Sequence, residues 1–354
     1  MTPTRKRVSG FVFAATNGQS DGENMKCKTR FLLSLLIVLA ALASHYDNLW
    51  SAEKSAKLAP VRIGYVSRSI LDMPFIIARD RGYFREEGLE PELIFMKAAQ
   101  TIPAMLAGGI DFGTATGTAI VAALSGIDVR VVFAMSDKPS FDLLAAPSIT
   151  NLQQMRGKKL GITAFGALAE TLAREIFLAN KVPQEQVTFL PLGTSDVMYV
   201  ALKAGTIDAT MLQIPQNFLA VDEGFRKLAS GADFYRAVQG GLTTTKATIN
   251  ERPELVTKMI RVTQRSLRLI RADRRYAVEF IKGPYLDLGK DRDRFAERIY
   301  EAAVQYYLQT GIVDEKVRRE MIAVAAQRVK PKELPPPERV FDFSFAQKVS
   351  DSLK

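Results

Sequence analysis

From residue 61 onward, short apolar and β-branched runs alternate with stretches whose apolar positions recur every three or four residues. The runs at 61–66, 92–96, 111–114 and 129–135 predict strands, with helices between them at 75–81, 102–107 and 119–124. Pro74 opens the first helix, where a missing N–H costs little, and Gly82 closes it. The order then repeats, with strands at 159–163, 187–191 and 208–212 and helices at 170–180 and 197–203. Such alternation predicts parallel sheets joined by right-handed crossovers. From 253 to 327 the pattern turns helical. Leu255, Met259, Val262 and Leu269 mark one face, Phe295, Ile299, Ala302 and Tyr306 a second, and Val317, Met321 and Val324 a third. Pro331 and the run Pro335, Pro336, Pro337 stop it, and 340–353 is predicted to dock as a tail.

The repeat is also literal. Ala104, Ala107, Gly108, Ile110 and Asp111 spell A-x-x-A-G-x-I-D, and Ala201, Ala204, Gly205, Ile207 and Asp208 spell it again. Gly64 and Gly161 end two similar strands at the same offset. Two similar lobes facing one another describe a clamp around a ligand. Extended segments at 141–147 and 240–249 flank the second unit and read as crossovers between lobes. The expected organisation is a linker at 44–59, a first lobe made of 60–143 plus 246–354, and a second lobe at 144–245.

Composition narrows the class. Hydrophobic residues make up 47% and charged residues 24%, ordinary values for a globular protein. The net charge is +10, but residues 1–43 hold six Lys/Arg against two acids. The rest carries no dense basic run with interleaved aromatics, so no nucleic-acid partner is expected. Met25, Lys26, Lys28 and Arg30 precede an apolar run at 31–43 ending in Ala41-Leu42-Ala43, the pattern of an export signal. Thirteen apolar residues fall short of the roughly 20 that span a bilayer. The run is either cleaved, giving an extracytoplasmic protein, or kept as an anchor. Residues 1–24 are either upstream of the true start at Met25 or a polar tail.

The single cysteine, Cys27, lies in that signal, and the single histidine, His45, lies just after it. A core from about residue 60 therefore has neither. That excludes Ser-His-Asp and Cys-His nucleophiles and metal sites built on His or Cys. No cofactor, no metal and no enzymatic activity are expected. The loops predicted at the carboxyl ends of the strands are 67–73, 114–118, 136–140, 163–167, 193–195 and 213–216. They are rich in Ser, Thr and Gly and suit a polar, oxygenated ligand or an anion. Each hydroxyl equally suits capping of its own helix. Arg68 and Lys138 are candidates to neutralise an acid, and Phe141 and Phe165 to stack on a ring. Asp111 and Asp208, shared by the repeat, read as structural. Asp72 either accepts a ligand amine or caps the helix that Pro74 opens.

The stretch Pro74-Phe75-Ile76-Ile77-Ala78-Arg79-Asp80-Arg81-Gly82-Tyr83-Phe84-Arg85-Glu86-Glu87-Gly88-Leu89 resembles a signature of the solute-binding proteins of ATP-driven importers for nitrate, sulfonates, taurine and thiamine precursors. The A-G-x-I-D element, residues 155–162 and Val340-Phe341-Asp342-Phe343 are also similar, so the resemblance covers about 60–345. It implies a type II periplasmic binding protein fold: α/β, two Rossmann-like lobes, two crossovers and hinge closure. It implies a small organic, sulfonate- or carboxylate-like solute, delivered by a monomer to a membrane permease. By position it implies a pocket of Ser67, Ser69, Met73, Thr116, Thr118, Phe165, Gly166, Thr194, Gln213 and Pro215. A ligand sensor or a pyrimidine-precursor protein on the same fold is the alternative. Some pyrimidine-precursor relatives depend on a core histidine, which this sequence does not have.

Overall fold

A computed structural model of the chain describes residues 58–352, which form one compact unit. The expected export signal, Cys27 and His45 lie outside the described residues.

Among the described residues, ten strands form two five-stranded sheets. In chain order they are β1 (Ala59–Tyr65), β2 (Leu89–Phe95), β3 (Phe112–Gly113), β4 (Val129–Ser136), β5 (Asp142–Ala145), β6 (Lys159–Ile162), β7 (Thr188–Pro191), β8 (Ala209–Leu212), β9 (Arg226–Ser230) and β10 (Gln239–Thr245). The first sheet runs β2-β1-β3-β10-β4 and the second β7-β6-β8-β5-β9. Within each, three strands are parallel: β1 pairs with β2 and β3, and β6 with β7 and β8. The fourth strand enters antiparallel, β10 in the first sheet and β5 in the second.

The extended segments expected at 141–147 and 240–249 do lie where the chain passes between the sheets, but they do more than cross. Each becomes a full strand of the sheet it enters, and Gln239–Thr245, assigned above to the second lobe, belongs to the first sheet. The physical reason is edge closure. A third parallel strand leaves a row of unpaired N–H and C=O groups, and the arriving extended segment satisfies them.

The repeated motif has a repeated physical basis. Asp111 accepts the Arg62 amide at 2.8 Å, and Asp208 accepts the Lys159 amide at 2.8 Å. Each aspartate thus pins the parallel strand beside its own, at the middle of β1 and at the first residue of β6, which gives both a structural role. Gly108 and Gly205 sit at φ of 71° and 67°, the left-handed turn that glycine adopts without strain. The following isoleucines fold onto the glycines of the neighbouring strands. A Cβ on Gly64 would lie 2.8 Å from Ile110 Cδ1, and a Cβ on Gly161 would lie 2.8 Å from Ile207 Cδ1.

Helices cover both sheets. The long helix Pro253–Ala272 buries Leu255, Met259, Val262, Leu267 and Ile270 against the first lobe. The carboxyl-terminal segment docks on β4. The Val131 amide donates to Val340 O at 2.9 Å, and the Asp342 amide donates to Val131 O at 2.9 Å. Phe341 and Phe343 fill the first core beside Phe133. Leu160, Ile162, Leu172, Ile176 and Phe177 build the second.

Overpacking a core position costs about 1–3 kcal/mol. Gly161→Ala is expected to destabilise by that order, because its new methyl meets Ile207 Cδ1 and Thr210 Oγ1. Ile207→Val removes the first obstacle, so the double variant recovers part of the loss. A denaturant-based double-mutant cycle measures the coupling, and strictly additive losses would contradict this account of the repeat.

Candidate functional site

A cavity of about 70 Å³ lies where the two sheets present the carboxyl ends of their parallel strands. That is room for roughly five waters at 10–15 Å³ each. From the first lobe it is lined by Ser67, Leu71, Asp72 and residues 114–118, and from the second by Thr163, residues 167–169, Gly193, Ser195 and Gln213. Phe141, Gln239 and Gly240 close it at the strand crossings.

Each lobe contributes helix amino termini. Thr116–Leu124 starts at the cavity from one side, and Leu168–Ala179 and Ser195–Lys203 start from the other. The first two meet closely, since a Cβ on Gly117 would lie 3.0 Å from the Leu168 amide nitrogen. A glycine is needed there to let the lobes approach.

The loop after β1 is rigidly built. The Ser67 amide and hydroxyl donate to Asp72 Oδ2 at 3.0 and 2.8 Å, and Ser67 and Ser69 hydroxyls lie 2.8 Å apart. Tyr285 OH donates to the carbonyls of Ser67 and Ser69 at 3.2 and 3.3 Å, and Tyr307 OH donates to that of Ile70. Asp72 occupies the N-cap position of the helix Met73–Asp80 but makes no side-chain cap bond. Its carboxylate is turned instead into the loop and the cavity.

Asp72 is 2% exposed, and its Oδ1 has no hydrogen-bond partner. Burial pushes its carboxyl up to about 6 from 3.8, and polar groups of Ser67, Thr114 and Val66 offset only part of that. The Thr114 hydroxyl stands near enough to favour the Asp72 charge without reaching hydrogen-bond geometry, and the Ser195 hydroxyl has no partner; both residues line the cavity. Among the described residues that line the cavity, Asp72 is the one that carries a charge.

Of the ten residues placed in the pocket by resemblance, Ser67, Thr116, Thr118 and Gln213 line it. Ser69 lies one layer behind, bonded to Ser67. Met73 is fully buried in the first core. Thr194 caps its helix, accepting the Val197 amide at 3.4 Å. Pro215 stands buried at the start of Gln216–Asp222, away from the lining. Phe165 is 57% exposed and points away, whereas Phe141 is in the wall. Gly166 packs on Val121 across the lobes and donates its amide to Glu170 Oε2 at 2.7 Å. Arg68 sits 4.0 Å from Asp287, and neither it nor Lys138 lines the cavity.

Sequence reasoning missed Gln239 and Glu170. Gln239 accepts the Ser140 amide and donates Nε2 to Gln213 Oε1 at 2.9 Å, which joins the two lobes at the cavity floor. Its signal was a lone amide ahead of Gly240-Gly241 in an otherwise apolar and Thr-rich strand. Glu170 is fully buried on the second lobe and pairs with Arg174 at 2.8 Å and with Arg328, from the first lobe, at 2.7 Å.

No group of three or more His, Cys, Asp or Glu is placed to hold a metal among the described residues. None of the described helices is long and apolar enough to cross a membrane.

Two lobes of this topology, enclosing a cavity between strand ends, define the fold of the periplasmic solute-binding proteins. Solved structures bear this out. A protein from Bordetella bronchiseptica RB50 superposes with a TM-score of 0.72 at 17% identity, over 84% of this chain and 98% of that one. The nitrate-binding protein NrtA from Synechocystis PCC 6803 gives 0.66 at 10% identity, over 84% and 90%. The alkanesulfonate-binding protein SsuA from Xanthomonas axonopodis pv. citri, bound to MOPS, gives 0.63 at 16%, over 83% and 98%. These likenesses establish the fold. The chain belongs to the NMT1/THI5-like family, whose family model matches residues 72–277, more than half its length. It is also 23% identical over 232 residues to the riboflavin-binding protein RibY of Chloroflexus aurantiacus, a match spanning 61% of this chain and 63% of that relative.

The carboxyl of Asp72 sits above its unfolded value, so the folded state binds the extra proton between about pH 4 and 6. Its contribution is harmless below that window and destabilising above it. Two units correspond to about 3 kcal/mol. Asp72→Asn keeps an acceptor for Ser67 and removes the charge. The ligand-free variant is therefore expected to gain stability over wild type as pH rises from 4 to 7. Parallel urea titrations across that range check this, and a pH-independent difference would contradict it.

Proposed function

We propose that this protein is the solute-binding component of an ATP-driven import system. It captures a small organic solute in the inter-lobe cavity and hands it to a membrane permease. It acts outside the cytoplasm as a monomer, and its two lobes bind and release without covalent chemistry.

The observation that carries this reading is the shared cavity. Both lobes supply its walls, and Gln213 and Gln239 meet across them. A ligand that touches both lobes only when they are closed favours the closed form in proportion to its differential contacts. Closure also has contacts of its own. Arg328 reaches Glu170, and the Lys97 stem packs on Gly193. An acidic end of the solute, the class the family resemblance implies, would be served by the amino-terminal turns at Thr116 and Ser195.

The test is a thermal-shift screen against sulfonates, nitrate, carboxylates, amines, pyrimidines and riboflavin, with hits followed by calorimetry. A ligand at 100 times its dissociation constant stabilises by about 2.7 kcal/mol. One saturable hit recovered unchanged supports the reading, and a hit that is consumed overturns it.

Closure predicts a remote effect. Arg328→Ala lies outside the lining and removes one inter-lobe contact, leaving Glu170 paired with Arg174. The Kd for a hit is expected to rise severalfold through loss of the closed population. Calorimetry reads this, and small-angle scattering reads the wider ligand-free lobe separation that must accompany it.

A further inference from the structure

Resting on the binding reading above, we infer that the solute presents an N–H donor, a protonated amine or amidine-like nitrogen, to the free Oδ1 of Asp72. One oxygen of this carboxylate is committed to the Ser67 loop, and the other, Oδ1, is buried without a hydrogen-bond partner in a residue that lines the cavity, with only the nearby polar groups of Thr114 and Val66 to favour its charge. A buried carboxylate oxygen without a partner is costly, and such a cost persists where a ligand relieves it. Neither Lys nor Arg is among the described residues lining the cavity, so the countercharge must arrive with the solute.

The neighbours of Asp72 are consistent with this. Tyr65, Tyr285 and Tyr307 stand close enough to feel its charge, but all three are raised above the ordinary tyrosine range and stay neutral. Arg68 is drawn to Asp287, and Lys97 remains at the rim over Gly193. The unpartnered hydroxyls of Thr114 and Ser195 accept as well as donate, so they complete a donor-rich nitrogen's bonds. Phe141 supplies an apolar wall beside it. The helix amino termini at Thr116 and Ser195 leave the far end of the solute free to carry an acceptor.

The geometry also sets a pH response. Protonated Asp72 donates where it should accept, so binding of a nitrogen base weakens as pH falls through about 6. The amine keeps its own proton across that range, so the loss belongs to the protein.

The experiment uses the full chain with matched probe pairs that share a frame and differ in the head group: benzamidine against benzoate, and butylamine against butyrate and butanesulfonate. A metabolite extract, with the retained compounds identified by mass spectrometry, extends the panel. Nitrogen bases should bind wild type, lose at least tenfold in affinity in Asp72→Asn, and lose about tenfold in wild type between pH 7 and 5. The pH profile needs no variant and so stands even if Asp72→Asn folds poorly. Retention of a solute without an N–H group, or equal affinity in both proteins, overturns the inference and leaves the binding reading intact. Retention of nothing from panel or extract overturns both.

Discussion

The amide of Gln239 ties together the three places where the two lobes depend on one another. It accepts the amide of Ser140 on the outgoing chain and donates to Gln213 at the end of β8, while its own backbone begins β10 on the return. All three residues are buried. Leaving such a group unpaired costs about 1–3 kcal/mol, so this bridge holds the crossings in one arrangement. The cavity wall and the strand crossings are consequently built from the same few residues. A solute that presses on Gln213 or Gln239 acts on the joint itself.

Around that joint the protein repeats its scaffold but not its chemistry. Asp111 and Asp208 make the same bond to the same relative strand, and Ile110 and Ile207 pack on equivalent glycines. The polar loop after β1 has no such twin. Under the 97-residue shift, Ser67, Asp72 and Thr114 correspond to Ala164, Ala169 and Met211. The second lobe answers the first with small and apolar residues. Symmetry marks what holds each sheet together, and it breaks down at Asp72, in the wall of the cavity.

Much of this was legible in residue order. The apolar periods located the parallel strands and the long helix Pro253–Ala272, and the shared A-G-x-I-D element assigned both aspartates a structural task. The apolar tail at Val340, Phe341 and Phe343 was visible as a docking segment. What was not legible depended on long-range pairing. An extended stretch at 142–145 or 239–245 has the same local pattern whether it merely crosses or fills a sheet, because its partners lie up to about a hundred residues away in sequence. Positions transferred by resemblance raise a related point. Phe165 and Met73 sit on the expected loops, but a side chain's direction follows from packing, and packing turned one outward and the other into the core. Glu170 gave no sign at all, since an acid on an amphipathic helix ordinarily faces water.

Asp72 joins the energetics of the fold to those of the site. Its burial works against the folded state at neutral pH, and isosteric replacement by Asn would relieve that cost while keeping the bond to Ser67. A stability optimum would therefore not retain a charge here. Retaining one is reasonable where the destabilised group is the one the ligand satisfies, so that part of the binding free energy is strain released on closure. The two lobes then differ in kind: the second supplies neutral polar groups such as Ser195 and Gln213, and the first supplies the buried carboxylate. A solute that fills the volume but leaves Oδ1 unpaired would close the lobes over a buried carboxylate deprived of water. The cavity thus selects against such a solute by desolvation as well as for its competitor by attraction.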